Sequence, residues 1–258
     1  MALIDKEVKK LIYTIFGAAF LLLGFAWFAA HGGSLFNTAT GIANTVTGNK
    51  TYDTPYSNTL DKNKEYYLNV ETSLGTMKFR LYKDNAPVFV NNIVSLVKDN
   101  FYKNSTYAEK LSKLLLLGKG GNTENVSYNL IEEINAKSIG LDKVKVSDLY
   151  GALLNTYDSS LLSGNLNVPI MDFYHSQGYT YSTNIQSVTI KKGSLVMYST
   201  APGHFGNMFF ISTTGSIPEY DGRMVNIGEI VSGNDILDQI NSTSADQISL
   251  ISLQISDK

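Results

Sequence analysis

The chain has 258 residues, of which 43% are hydrophobic and 17% are charged, so it is long enough to bury a sizeable core. Its formal net charge of −2 gives no basic surface for a phosphate backbone, and we therefore exclude a nucleic-acid partner. It contains no cysteine and only three histidines, which are far apart. This composition excludes disulfides and thiolate chemistry and predicts no metal site.

The first predicted element is a membrane anchor. Residues 11–30 carry no charge, and this run of 20 residues at helical rise spans about 30 Å of hydrocarbon. Three lysines lie within residues 1–10, whereas the next basic residue is Lys50, so the positive-inside rule predicts a cytoplasmic N-terminus and an extracytoplasmic remainder. A cleaved signal peptide is the alternative. The apolar run is longer than a usual signal-peptide core, and residues 27–30 offer no A-x-A cleavage site, which favours an uncleaved signal anchor.

A linker is predicted to follow the anchor. Residues 31–65 are dominated by Gly, Ser, Asn, Thr, Asp and Lys, without a sustained hydrophobic period. We therefore expect the folded domain to comprise residues 66–258.

The first half of this domain predicts two strands, a helix and a further strand. Between residues 66 and 82, apolar residues alternate with charged ones on either side of a turn at residues 73–75. Pro87 suits the first turn of a helix whose apolar residues recur at helical spacing as far as Val97. Residues 114–117 are four leucines followed by Gly118 and Gly120-Gly121, which predicts a buried strand.

The middle of the chain shows helical patterning. Leu149, Leu153 and Leu154 follow Ser147 and Asp148, which predicts an amphipathic helix whose N-cap lies at those two polar residues. A disordered loop is the alternative, but the content of Leu, Ile, Val and Tyr disfavours it. We interpret this part as a small folded segment.

The last third predicts three more strands. Residues 206–213 and 225–233 are rich in aromatic and β-branched residues and are separated by a turn at residues 221–222, which by itself indicates a β hairpin. Residues 248–255 alternate in polarity, with a change of phase at residues 250–251 that indicates a β bulge. Such a strand could close a barrel.

Four ordered blocks of this sequence resemble the cyclophilins. The family signature reads roughly G-S-Q-F-F-I, then L-D-G-K-H, then F-G-x-V-x-x-G. The residues of this chain that keep that frame are Gly206, Phe209, Phe210, Ile211, Asp221, Gly222, Gly228, Val231 and Gly233. Upstream, Gly75-Thr76-Met77, Ala86-Pro87 and Tyr102-Lys103-Asn104-Ser105 fall where the family has G-x-I, A-P and Y-x-G-x.

The resemblance covers about residues 66–118 and 178–255 and implies a fold. We expect a mainly β protein, with a cyclophilin-like closed antiparallel β-barrel capped by helices. Residues at about 121–177 would then form an inserted helical segment, in place of the shorter loop that the family usually has. The N-terminal transmembrane helix would precede this domain.

The resemblance also implies a chemistry, rotation about X-Pro peptide bonds. In the family an arginine donates a hydrogen bond toward the prolyl nitrogen, an apolar pocket holds the proline ring, and no cofactor is needed. In this chain the arginine position falls on Glu109, and an ionised carboxylate accepts rather than donates. We predict that Lys110, Lys113 or Arg223 is the replacement donor, if there is one, although strand alternation directs Lys110 away from the face of Glu109. The expected pocket residues are Phe210, Leu114, Leu115, Met208 and Tyr220.

Two functions are therefore expected. The first is an extracytoplasmic peptidyl-prolyl cis-trans isomerase that acts on proline-containing peptides or secreted proteins. The second is a catalytically inactive cyclophilin-like module that binds a partner or serves as a scaffold subunit of a membrane complex. Phe209 and Phe210 have a plainer interpretation as core residues of the sheet, and Glu109 as an ordinary surface carboxylate.

Overall fold

Eight antiparallel strands form the centre of the folded part of the chain. The computed structural model describes residues 50–121, 125–154 and 164–258, without the side chains of residues 152–154. Within that part, Asp53–Lys258 make one unit. The strands are β1 (Tyr66–Thr72), β2 (Gly75–Leu81), β3 (Ala108–Leu111), β4 (Leu114–Leu117), β5 (Ser194–Met197), β6 (Phe209–Ser212), β7 (Val225–Ser232) and β8 (Leu250–Asp257).

The strands form one sheet in the order β3-β4-β6-β5-β7-β2-β1-β8. Its two end strands, β3 and β8, are not joined by a ladder in the described part of the chain. Near them, the Leu250 N–H donates to the Thr106 carbonyl at 3.3 Å. The described sheet is thus a curled antiparallel half-barrel, and closure of the barrel stays a prediction.

The hairpin expected from residues 206–213 and 225–233 is wrong, because β5 lies between β6 and β7. Met197 of β5 pairs with Phe209 on one side and with Val225 on the other. Residues 213–224 form a long connection rather than a two-residue turn, so local turn chemistry does not fix which strands pair.

The other strand predictions are confirmed. The first two strands form an antiparallel pair in which Thr72 lies opposite Gly75. In β8, Glu71 lies opposite Ser252 and Thr72 opposite Leu250, which leaves Ile251 as the extra residue of a bulge. The strand begins two residues later than the alternation indicated.

Four α-helices are described, namely α1 (Pro87–Lys98), α2 (Val146–Leu154), α3 (Ile170–Ser176) and α4 (Asn234–Ser242). Short 3-10 helices span Lys137–Ile139 and Ala245–Gln247. The helix opened by Pro87 is confirmed, and it buries Phe89, Ile93 and Leu96. The Glu133 carboxylate caps its first turn by accepting a 3.0 Å hydrogen bond from the Phe89 N–H.

Helix α2 begins earlier in the chain than its sequence predicted. The helix begins at Val146, so the predicted N-cap at residues 147–148 lies inside its first turn. The Asp148 carboxylate accepts from the Lys145 N–H at 2.9 Å, as a first-turn acid does when it reaches back to the preceding backbone. Both α2 and α3 belong to the segment at 121–177.

The described part of the predicted linker contacts α1. Asn91 of that helix is 3% exposed, and its side-chain oxygen accepts from the Thr59 N–H at 3.0 Å. Its amide nitrogen donates to the carbonyls of Tyr56 and Ser57, both at 3.2 Å. One buried asparagine therefore holds the backbone of three residues between 56 and 59, in the stretch before β1.

The start of β1 and the end of β8 lie side by side in the sheet. Tyr66 at the start of β1 pairs with Asp257 at the end of β8. Just outside the ladder, Glu65 and Lys258 exchange two backbone hydrogen bonds of 3.1 Å. The chain therefore enters β1 and leaves β8 at the same corner.

No helix within residues 50–121, 125–154 and 164–258 is long and apolar enough to cross a membrane. The predicted cytoplasmic residues 1–10 and the predicted anchor at residues 11–30 lie outside the described residues.

Candidate functional site

A row of side chains crosses β3, β4, β6 and β5 at the position where the sequence motifs meet. Glu109 lies opposite Leu116, Leu116 opposite Phe210, and Phe210 opposite Val196. Paired residues of adjacent antiparallel strands point to the same side of a sheet. Glu109 and Phe210 therefore share one face, with Glu109 on the edge strand.

A second row lies beside it on the same face. Tyr107 is two residues from Glu109, and its hydroxyl donates to the Glu109 carboxylate at 2.6 Å. Met208 is two residues from Phe210, and the Tyr198 N–H donates to the Met208 carbonyl at 3.0 Å. Alternation places these residues with Glu109 and Phe210.

The structure brings together most of the pocket residues expected from the motifs. Leu114 is two residues from Leu116 and so lies on the face of Phe210, as Met208 does. The ring of Tyr220 packs against that of Phe210, with 5.7 Å between centroids. Leu115 pairs with Ile211 and lies on the opposite face, so it is not brought together with the other four.

The apolar part of this face is covered. Phe210 is 0% exposed, and Leu114, Leu116 and Val196 are buried. Tyr220, which packs on Phe210, is itself mostly buried, and this burial raises its pKa to about 12. The less covered part contains the exposed Glu109 and half-buried side chains, among them Tyr107, Met208, Tyr198 and Tyr220.

The three candidate replacement donors are engaged elsewhere. Lys110 donates to the carbonyls of Asn241 and Thr243 at 2.9 and 2.7 Å, at the end of α4, which confirms that it points away from Glu109. The ammonium of Lys113 binds the Glu219 carboxylate at 2.9 Å. Arg223 is buried and contacts tyrosines, as described next.

Arg223 lies inside a cluster of tyrosines. It is 3% exposed, and its Nε–H donates to the Tyr179 hydroxyl at 3.3 Å. The guanidinium carbon lies 5.5 Å from the ring centroid of Tyr174 and 5.8 Å from that of Tyr179. The hydroxyls of Tyr174 and Tyr150 lie 2.6 Å apart. Because Tyr150 belongs to α2 and Tyr174 to α3, the cluster fastens the 121–177 segment to the sheet.

Sequence reasoning missed this cluster. The sequence indicates Arg223 only as a candidate donor, and two members of the cluster, Tyr150 and Tyr174, come from the 121–177 segment, which has no counterpart in the family pattern. The only local signal was the tyrosine content of the middle segment, which indicated a folded segment but gave no pairing.

The turn that carries Arg223 also buries an acid. Asp221 is 6% exposed, and its carboxylate accepts from the Ile190 N–H at 2.7 Å. Burial raises the pKa of Asp221 to about 7. Gly222 follows with φ of +81°, and a Cβ there would lie 2.4 Å from Leu141 Cδ1 in the 121–177 segment. The positive φ therefore favours glycine at this position, and a Cβ would also force the Leu141 side chain to shift.

The described residues contain no group of three or more His, Asp or Glu side chains that could hold a metal ion. Together, these features define a mainly β domain of half-barrel type, with its motif residues gathered on the face of β3, β4, β6 and β5.

The comparison with protein families identifies that domain. The family "Cyclophilin type peptidyl-prolyl cis-trans isomerase/CLD" matches residues 67–256. The chain therefore belongs to the cyclophilin-type peptidyl-prolyl cis-trans isomerase family, as the motifs indicated.

Solved structures of the same kind resemble the chain. Two are crystal structures of a cyclophilin type peptidyl-prolyl cis-trans isomerase from Cryptosporidium parvum, one of them in the presence of the dipeptide Ala-Pro. Each has 16% sequence identity and a TM-score of 0.46, with 74% of this chain and 98% of that chain covered. A sequence search among curated proteins gives no match.

Proposed function

We propose that this chain is a membrane-anchored member of the cyclophilin family that binds polypeptide segments outside the cytoplasm without rotating X-Pro bonds itself. The observation that carries the proposal is the exposed carboxylate of Glu109 at the position where the family has its arginine. The complete burial of Phe210 supports it, because a covered side chain offers no surface to a proline ring.

The chemistry explains why Glu109 matters. Rotation about a peptide bond has a barrier of about 20 kcal/mol because of amide resonance. A donor aimed at the prolyl nitrogen lowers it, since that nitrogen gains a lone pair only in the twisted transition state. An ionised carboxylate has no proton to donate, and its charge disfavours electron density on the nitrogen. A polypeptide could therefore bind to this face without being accelerated.

The second candidate is the isomerase activity for which the family is named. One observation favours it: the ammonium of Lys119 lies 4.9 Å from the ring centroid of Tyr107, whose hydroxyl binds Glu109. An ammonium group so close to the face is a possible donor in place of guanidinium.

The two candidate functions predict different rates of isomerisation for a proline peptide in the presence of the protein. We would measure the cis-to-trans isomerisation of a short proline peptide with residues 53–258, which form one unit. The wild type would be compared with Glu109→Arg, with Glu109→Gln as a matched control that removes the charge without adding a donor. We expect wild type and Glu109→Gln to stay at the uncatalysed rate. A wild-type rate above background that Lys119→Ala abolishes would overturn the proposal in favour of the isomerase.

The location outside the cytoplasm is part of the same proposal. It is supported by the uncharged run at residues 11–30 and by the lysines that precede it. Because the chain has no cysteine, single cysteines can report the side of the membrane. In intact cells we expect a membrane-impermeant maleimide to label Thr54→Cys but not Ala2→Cys. Labelling of Ala2→Cys alone would refute the orientation, and release of the protein by alkaline carbonate would refute the anchor.

A further inference from the structure

The accessible part of the motif face has an unusual composition. Glu109 is exposed, and Tyr107, Met208 and Tyr198 are half-buried around it. We call these four residues the tyrosine–glutamate face. They carry one carboxylate, two aromatic rings with hydroxyls and one flexible thioether, and the Lys119 ammonium lies over the Tyr107 ring beside them. The face thus presents a carboxylate where the family pattern has a guanidinium.

We infer that the tyrosine–glutamate face binds a basic side chain, lysine or arginine, of a polypeptide partner. This inference rests on the proposed function, because it names the class of polypeptide that the domain binds. It follows from charge complementarity at Glu109 and from the rings that stand beside that carboxylate.

The Glu109 carboxylate is held in place by a neighbouring tyrosine. One oxygen of Glu109 accepts the Tyr107 hydroxyl at 2.6 Å, which fixes the side chain against the sheet. A carboxylate has about four acceptor sites, so this bond leaves capacity for an incoming donor. Its charge also reaches Tyr198, whose pKa is raised by burial and then by the Glu109 charge. Glu109 therefore contacts Tyr107 directly and acts on Tyr198 through its charge.

A cation of the chain itself already contacts one ring of this face. The ammonium of Lys119 lies 4.9 Å from the ring centroid of Tyr107, within the range of a cation–π contact. The ring of this face thus accepts an ammonium in the folded chain. A carboxylate beside an aromatic ring is the combination that binds lysine and arginine, since one group supplies an ion pair and the other a cation–π contact.

Met208 is the remaining residue of the tyrosine–glutamate face. It is half-buried, lies two residues from Phe210, and its carbonyl accepts from the Tyr198 N–H at 3.0 Å. A methionine side chain adapts to different neighbours because it is unbranched and polarizable. It suits the aliphatic stem that a lysine or arginine lays along a surface. The family glutamine at this position would offer polar bonds instead.

The test measures the charge preference of binding with the full chain in detergent micelles. The probes are three fluorescein-labelled peptides, Ala-Ala-Lys-Pro-Ala-Ala and its norleucine and glutamate counterparts, followed by fluorescence anisotropy. We expect the lysine peptide to bind roughly three- to tenfold more tightly than the norleucine peptide, as a partly exposed ion pair with a cation–π contact provides. The preference should shrink as salt is raised.

Three variants assign the preference to Glu109. Glu109→Gln should remove it, and Glu109→Lys should reverse it in favour of the glutamate peptide. Glu65→Gln, which removes an exposed carboxylate just before β1, should leave it unchanged. Equal binding of the lysine and norleucine peptides by the wild type would overturn this inference and leave the proposed function standing. Failure of all three peptides to bind would overturn both.

Discussion

Replacing Asp221 with asparagine tests whether one buried carboxyl group sets the pH dependence of stability. Burial raises the pKa of Asp221 from 3.8 to about 7, although the Ile190 N–H partly offsets that effect. The folded protein then holds this proton more tightly than the unfolded chain does. The contribution to the free energy of unfolding is therefore complete below about pH 4 and is lost as the pH rises through about 7.

The magnitude follows from the two pKa values. A difference between 3.8 and about 7 corresponds to a loss of about 4 kcal/mol above pH 7, at 1.36 kcal/mol per pH unit. Asparagine keeps an oxygen that can accept from Ile190 but carries no charge. The variant should therefore lose this part of the pH dependence and be more stable than the wild type at pH 8.

The assay is urea unfolding of residues 53–258 followed by circular dichroism, at intervals between pH 4 and pH 8. The informative quantity is the difference in the free energy of unfolding between Asp221→Asn and the wild type, since other carboxyls titrate equally in both. Asp53→Asn, which neutralises an exposed carboxyl, is the control and should show no such difference. Parallel pH profiles for wild type and Asp221→Asn would refute the reasoning.

Substitutions at three further positions test the contacts that hold the domain together. Gly222→Ala should lower the free energy of unfolding by about 1–3 kcal/mol, because alanine is strained at a φ of +81° and collides with Leu141; an unchanged urea midpoint would contradict this. Arg223→Ala should cost about 2–4 kcal/mol and Arg223→Met much less, since an apolar side chain of similar volume avoids the desolvation of a buried charge; equal losses would argue against that explanation. Asn91→Ala should speed hydrogen exchange at the Thr59 amide, which loses its acceptor, and an unchanged exchange rate there would exclude the contact in solution.

The elements that the sequence predicted correctly depend on local signals. Each of these signals involves only a few neighbouring residues. They are the alternation around residues 73–75, the proline at the start of α1 and the phase change at Ile251. The order β6-β5-β7 is not local, because it depends on which distant strand offers hydrogen-bonding groups to β5. The hairpin expectation failed for that reason.

The same distinction applies to the candidate site. The motifs placed Glu109, Met208 and Phe210 in one region, and strand alternation puts all three on one face. They could not give the cover on Phe210, which depends on how the 219–224 turn packs. They also could not give the surroundings of Arg223, because its contacts Tyr179 and Tyr174 lie 44 and 49 residues away in sequence.

The corner shared by the start of β1 and the end of β8 has a mechanical consequence. Because Tyr66 lies opposite Asp257 and the two strands run antiparallel, a pull between the linker and the C-terminal residue would load their ladder one rung at a time. Such a force breaks the backbone hydrogen bonds between the strands one after another. A force that pulled the two strands in opposite directions along their length would have to break all these bonds at once. If the chain is tethered at a membrane and its last strand is bound by a partner, β1 and β8 would be the first strands to separate under tension.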